Sequence, residues 1–327
     1  MNPVPILSIV LPAFNEAEAL PATLERIRAV ADVEPRLAGS VEIIVVSDGS
    51  TDSTFDTAAK ELAGGACGLV VELARNVGSH AALRCGLRHA RGEFVALMSA
   101  DGQDPPELLP AMLAAFGDGL DIVWGRRTNR RADRLAARVT ARAYYWMFRR
   151  LTGLDYPPAG FDFVVVRRPV VEALLLHRER NASLFLLLFN LGFGQTFVDY
   201  ERGERTAGQT RWTVRRKLKL AVDMLTGFSA APIRLVSLTG VLVGMLGLLF
   251  GGFTVVRALL GDVPVSGWAS LMVVTSLMGG LMLIAVALLG EYVWRTLDEV
   301  RQRPLYLESR RATVNGKPAG RMEALSQ

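Results

Sequence analysis

Three oxygen-bearing side chains, Asp101, Gln103 and Asp104, are crowded into the stretch Met98-Ser-Ala-Asp-Gly-Gln-Asp-Pro-Pro-Glu107. Carboxylate and amide oxygens at the carboxyl end of a strand are the set that a hard divalent cation such as Mg2+ or Mn2+ takes. A lone Asp-x-x-Asp-Pro also serves as an ordinary helix cap, so the remainder of the chain must decide between the two. A further carboxylate, Asp48, stands in Ser47-Asp-Gly-Ser-Thr-Asp52 after another apolar run. It is suited to accept hydrogen bonds from a nucleobase imide or a ribose hydroxyl, or simply to organise its own turn. Two basic stretches complete the set. In Trp124-Gly-Arg-Arg127, Arg126 is expected to reach a phosphate with its planar fork. In Tyr200 to Trp212, Arg205 and Arg211 lie in a glycine-containing loop that can close on anions.

Positioning such groups takes strand ends and tight turns. Ile6 to Leu11 is short, apolar and rich in β-branched residues, and from Glu16 a helical pattern runs through Leu20, Leu24 and Ile27. Val41–Val46, Leu69–Leu73, Phe94–Met98 and Asp121–Trp124 repeat the strand pattern with helical lengths between them. Such alternation predicts a parallel sheet with right-handed crossovers. Its ligands would sit beyond the carboxyl ends of the strands, so the turns at 12–16, 48–52, 75–79 and 101–104 should gather there. Gly49 should permit a tight turn, Asp52 should cap the following helix, and Pro105 and Pro106 should start the next one. The first turn reads Pro12-Ala-Phe-Asn-Glu16, with neither G-x-G-x-x-G nor a P-loop. A cation on Asp101 and Gln103 is therefore the expected means of holding phosphate.

The chain has 327 residues, net charge +5 and 50% hydrophobic residues, enough for one large or two modest domains. Its apolar excess is concentrated late, which points to membrane spans. Cys67 and Cys85 form no CxxC and are expected to be buried small hydrophobes, with no zinc or redox centre implied. His80, His89 and His177 lack mutual spacing and read as structural, with His80 a neighbour of the pocket expected at the strand ends. Met1-Asn-Pro-Val-Pro leads into a strand without a basic segment or h-region, so the N-terminal part is expected to stay cytosolic. No nucleic-acid partner is expected.

Ser8-Ile-Val-Leu-Pro-Ala-Phe-Asn-Glu16, Ser47-Asp-Gly-Ser-Thr-Asp52, Ala74-Arg-Asn-Val-Gly78 and Ser99-Ala-Asp-Gly-Gln-Asp-Pro-Pro-Glu107 resemble, in order, the signatures of family 2 glycosyltransferases of the GT-A fold. The likeness is strongest to polyprenyl-phosphate glycosyltransferases, the group of dolichyl-phosphate mannose synthase and the bacterial undecaprenyl-phosphate glucosyltransferases. It implies an α/β, Rossmann-like, mostly parallel sheet and inverting transfer of one sugar from a UDP- or GDP-sugar to a polyprenyl phosphate. Pro12, Phe14, Glu16, Asp48, Asn76, Gly78, Ala100 and Asp101 would line the nucleotide site. Asp101 and Gln103 would hold Mg2+ or Mn2+. Arg126, Arg205, Thr210 and Arg211 would bind phosphate, and Asp104 and Asp162 would act at the acceptor.

Two positions depart from the commonest family pattern. Ser99 replaces the first acidic residue of the metal loop, with Gly102 in the fourth place, and Ser47 replaces the first of two acidic residues after the second strand. Asp101 and Gln103 are then the expected ligands, with diphosphate oxygens and water completing the shell, and the free ion should bind weakly until the donor arrives. A phosphate monoester is already anionic at neutral pH, its second pKa being roughly 6. Asp104 and Asp162 are accordingly cast as groups that orient the acceptor or take a residual proton. Gln209-Thr-Arg-Trp212 resembles the Gln-x-x-Arg-Trp of processive synthases but has one residue in the gap, which argues against a polymerase.

The expected organisation is a cytosolic GT-A domain over 1–200, an acceptor loop and amphipathic interfacial helix over 201–232, two spans over 233–292 and a cytosolic tail over 293–327. Trp212 to Phe228 sets Arg215, Arg216, Lys217 and Lys219 against apolar residues, a pattern that lies in the headgroup plane and attracts anionic lipid. Leu235–Val256 and Val263–Gly290 are uncharged; basic residues crowd the segments before the first and after the second, while the connecting loop offers only Arg257 and Asp262, so both ends should face the cytosol of an inner-membrane protein. Gly240, Gly244, Gly247 and Gly251 share one helix face, which would pack the spans together or join subunits in a homo-oligomer. The polar tail from Arg301 is expected to end disordered. A glycolipid or protein acceptor, or a silent nucleotide-sugar-binding partner of a membrane assembly, are the competing functions.

Overall fold

The computed structural model describes residues 4–63, 67–128, 162–177, 183–200, 231–260 and 267–314. The chain divides into two units, one built from Met1–Tyr145, Asp155–Trp212 and Pro304–Gln327, the other from Trp146–Leu154 and Thr213–Arg303.

Among the described residues, the first unit holds an eight-stranded sheet. Its strands are β1 (Leu7–Ala13), β2 (Val41–Ser47), β3 (Cys67–Leu73), β4 (Phe94–Leu97), β5 (Ile122–Arg127), β6 (Val164–Arg167), β7 (Gln195–Tyr200) and β8 (Glu308–Val314). The spatial order is β7-β5-β6-β4-β1-β2-β3-β8. Parallel pairing joins β4, β1, β2 and β3 as well as β5 and β7, whereas β6 and β8 run antiparallel to their neighbours. β1 and β2 read as continuous apolar runs because both of their faces are covered. Leu7, Ile9, Leu11, Ile43 and Val45 face the core shared with α1 (Leu20–Val33) and α2 (Thr54–Ala63). On the other face α3 (Ser79–His89) lies so close to β1 that a Cβ on Gly86 would collide with Val10. A short 3-10 turn over Pro106–Leu108 and α4 (Leu109–Ala114) follow the loop after β4, as the two prolines require. α5 (Arg168–Leu176) and α6 (Leu184–Asn190) complete the described helices of this unit.

Within the stretch read from sequence as a polar tail, residues 308–314 form β8 against β3, and the end of that tail, 315–327, lies outside the described residues. Only Ala312 and Val314 of this strand reach the core, while Arg310 and Arg311 point outward, so its composition reads as a polar tail. Leu307 O accepts the Ala74 N–H at 2.8 Å, and Arg310 sits over the Phe55 ring at 3.7 Å while pairing with Asp56 and Glu72. Glu308 meets His89 Nε2 at 3.0 Å and Cys85 Sγ at 3.6 Å, and its second oxygen accepts Arg311. The ligand atoms of Cys85, His89 and Glu308 lie within 4.8 Å of one another, as a metal site requires, yet the Glu308 charge is already met by Arg311 and His89. Burial alone would raise the Glu308 carboxyl, but the hydrogen bonds from His89 and Arg311 hold it at about 2. Cys85 is buried as expected, whereas Cys67 at the start of β3 is only partly so.

The second unit contains α7 (Ala231–Leu259) and α8 (Trp268–Val300). Both are long and apolar enough to cross a membrane, over Val236–Phe253 and Leu277–Val300. The second window lies later than the expected Val263–Gly290, because α8 continues unbroken past Gly290. Among the described residues nothing stands within 4 Å of where a Cβ would sit on Gly240, Gly244, Gly247 or Gly251.

Candidate active site

The four turns stand at the carboxyl ends of β1, β2, β3 and β4, and hydrogen bonds staple the first to the second and the second to the third. Asn15, at φ 55, takes the left-handed conformation that Asn tolerates. Its N–H donates to Ser50 Oγ at 3.2 Å and its Oδ1 accepts the Thr51 N–H at 2.8 Å, joining the first turn to the second. Asp52 Oδ1 accepts the Thr54 N–H at 3.0 Å, the expected cap of α2, and Thr54 Oγ1 accepts the Glu16 N–H at the same distance. Asp48 joins the second turn to the third, its two oxygens accepting the N–H groups of Val77 and Gly78 at 2.8 Å each. Burial raises the Asp48 carboxyl, and those two N–H bonds work against the shift. At Gly49, φ is +61 and a Cβ would stand 2.5 Å from the Asn76 nitrogen, so only glycine lets the turns approach this closely.

The fourth turn holds the oxygen-rich residues. Asp101 is 8% exposed and Asp104 1%. The Ser99 hydroxyl donates to Asp101 Oδ1, as does the Gln103 N–H at 3.2 Å. Ser99 therefore replaces a family carboxylate with a donor that fixes the carboxylate that remains. Asp104 accepts the Ser99 N–H at 2.8 Å and the Tyr200 hydroxyl at 3.2 Å. Asp101 and Gln103 offer hard oxygens at a strand end, the chemistry that Mg2+ or Mn2+ takes. α1 supports this loop from the side: Thr23 Oγ1 donates to Ala100 O at 3.1 Å, and Arg26 contacts both Gly102 O and Glu107. Thr23, Arg26 and Tyr200 are site residues that their own neighbourhoods in sequence do not announce.

Of the expected nucleotide residues, Pro12, Phe14, Glu16, Asp48, Asn76, Gly78, Ala100 and Asp101 all stand on these turns, with Asn76 exposed and Ala100 buried. Asp162 is exposed and precedes the fully buried Phe163. Because β6 runs antiparallel to β4 with Val164 opposite Leu97, continuing that register brings Asp162 beside Ser99. Arg126 lies apart. It pairs with Asp199 at 2.6 Å and sits over the Phe197 ring, on the exposed side of the β5–β7 pair. The next residue, Arg127, is in register with Tyr200, so strand alternation puts Arg127 on the face that reaches Asp104. His80 is pushed down to about 4 by burial and then by Arg84, and meets Phe185 edge-on at 5.6 Å, so it packs as a neutral ring. Arg205, Thr210, Arg211 and the amphipathic stretch 212–228 lie outside the described residues.

A mostly parallel sheet with its turns gathered at the strand ends serves many chemistries, and the sequence comparison places the chain. Residues 8–175 match the glycosyl transferase family 2 domain, and the chain belongs to that family. It is 32% identical over 301 residues to the SfII prophage-derived bactoprenol glucosyl transferase of Shigella flexneri, covering 92% of this chain and 96% of that one. A Synechocystis protein described as an uncharacterized glycosyltransferase is 35% identical over 303 residues, covering 93% and 94%. Among solved structures, mannosyl-3-phosphoglycerate synthase from Rubrobacter xylanophilus superposes with a TM-score of 0.47 at 21% identity, covering 67% of this chain and 71% of that one.

Proposed function

We propose that the protein transfers a single sugar from a UDP- or GDP-sugar to a polyprenyl phosphate at the cytosolic membrane face, with inversion at the anomeric carbon. The observation that carries this reading is the near full-length similarity to a bactoprenol glucosyl transferase, which extends past the catalytic turns through both apolar helices. Glucose is accordingly the first sugar to test. The topology adds support: a chain that leaves the sheet after β7 and re-enters it at β8 must cross a bilayer an even number of times between them.

In the reaction, an acceptor phosphate oxygen attacks the anomeric carbon and forms the new C–O bond. The bond to the donor diphosphate breaks on the opposite face, and its electron pair leaves with the nucleoside diphosphate. Asp101 and Gln103 would hold Mg2+ or Mn2+, which when bound neutralises charge on that leaving group. Asp104, enclosed and hydrogen bonded through both oxygens, serves to hold the loop, while the exposed Asp162 is the carboxylate placed to orient the acceptor. Arg205, Thr210 and Arg211 are proposed to clasp phosphate in the loop that follows β7.

The test is an assay on membranes with labelled nucleotide sugars, extracting product into organic solvent. Metal-dependent lipid-linked label that vanishes in Asp101→Ala is the expected result. Label on protein, or binding without turnover across a full donor panel, would replace this reading with a protein acceptor or a silent partner. Arg205→Ala should impair use of the lipid acceptor more than donor binding.

A further inference from the structure

The loop carrying Asp101, Gln103 and Asp104 is gripped from outside the sheet by one face of α1. Thr23 and Arg26 are three residues apart and so project from the same side of the helix. Thr23 Oγ1 donates to Ala100 O at 3.1 Å, just before the ligand residues. Arg26 Nη1 donates to Gly102 O at 3.1 Å, between them. The remaining edge of the guanidinium forms a fork on Glu107, with Nε to Oε1 at 3.0 Å and Nη2 to Oε2 at 2.7 Å, just after them.

Gly102 has φ +75, a conformation with little steric resistance to change in a residue without Cβ. Rotation of the Gly102–Gln103 peptide would swing Gln103 away from Asp101, and two bonds oppose it, the Gln103 N–H to Asp101 Oδ1 at 3.2 Å from within the loop and Arg26 to the Gly102 carbonyl from outside. Stability alone gives a poor account of this arrangement. The Arg26 and Glu107 side chains are 39% and 55% exposed, and ion pairs so open to water add little to folding. A bidentate fork with a third bond to a backbone carbonyl fixes direction, which is the property a pair of ligands in one short loop needs.

We propose that Arg26 is a positioning residue, which holds the Gly102 peptide and Glu107 so that Asp101 and Gln103 present their oxygens together to a divalent cation bound with a nucleoside diphosphate. The inference rests on the proposed function for its ligand.

The experiment uses the full-length protein in detergent or nanodiscs, with Mn2+ and UDP or GDP as probes. Free Mn2+ is read by electron paramagnetic resonance, alongside turnover and thermal melting. Arg26→Ala should weaken nucleotide-dependent Mn2+ binding by about tenfold or more, the range seen when groups behind metal ligands are removed. Its kcat should fall with donor KM little changed at saturating Mn2+, and its melting temperature should stay near wild type. Arg26→Lys should recover only part of the loss, because an ammonium cannot serve Glu107 and Gly102 O in fixed geometry. Arg28→Ala, which removes the α1 contact to Glu61, should match wild type in Mn2+ binding and kcat. The proposal is overturned if Arg26→Ala binds Mn2+ as wild type does, or if its losses follow a lowered melting temperature and are shared by Arg28→Ala. A wild-type protein that binds Mn2+ with nucleotide yet forms no lipid-linked product would sink the proposed function and leave the Arg26 comparison intact.

Discussion

The Tyr200 hydroxyl donates to Asp104 Oδ1 across 3.2 Å, tying the last residue of β7 to the loop that follows β4. With Asp104 1% exposed, removing that donor leaves a buried carboxylate oxygen short of a partner. Tyr200→Phe should therefore cost about 1–3 kcal/mol of stability, measured by denaturant unfolding, and lower kcat more than it changes donor KM. An unaltered unfolding midpoint would show that the bond does not hold the loop.

Strand register separates two adjacent arginines. Arg126 is committed to Asp199 on the exposed side, whereas Arg127 pairs in register with Tyr200 on the face that reaches Asp104. Arg127→Ala should reduce turnover by about tenfold or more, in line with loss of a charge-stabilising contact, and Arg126→Ala by much less. The reverse ranking in steady-state kinetics would return the phosphate contact to Arg126.

Ser99 donates to the carboxylate beside it, so its replacement should show in metal titrations. Ser99→Asp adds a second hard anionic ligand and should lower the Mn2+ concentration needed for half-maximal activity. Ser99→Ala should raise it modestly. In the wild-type protein without nucleotide, calorimetry should find only weak Mn2+ binding; tight binding there would contradict the two-ligand site.

Glu308 sets a pH dependence for the seam between β8 and α3. Its carboxyl is held at about 2 in the folded protein against an ordinary value of 4.5, so the folded state binds its proton less readily than the unfolded state does. The stabilisation is then fully present above 4.5 and is lost as pH falls from there towards 2. Glu308→Gln should melt lower than wild type at pH 7, and the gap should close in acid. A gap of constant size across that range would mean that charge plays no part.

The central strands are legible in sequence because their side chains answer to local rules: β1 to β5 are apolar runs ended by turn residues, and Gly49 and Asp52 act where their chemistry directs. β8 escapes such reading. Its polar residues face solvent at a sheet edge, and its partner strand β3 lies at the other end of the chain. The same holds within the site. Asp101 and Asp104 stand out by type and spacing, while Arg26 and Tyr200 matter only through partners 76 and 96 residues away. Arg126 and Arg127 differ only in which side of the strand each occupies, which no local pattern around Trp124 fixes before the pairing with β7 is known.

Since β8 follows both apolar helices in the chain, the helical pair is an insertion inside the sheet rather than an appendage after it. During synthesis the sheet stays incomplete until residues 308–314 have left the ribosome, with the β3 edge open to pairing with other chains in the meantime. A fragment cut after Tyr200 would make that exposed edge permanent. A water-soluble version of the domain would instead need residues 304–314 joined behind β7 through a linker, so that the seam of Glu308, His89 and Arg310 can close.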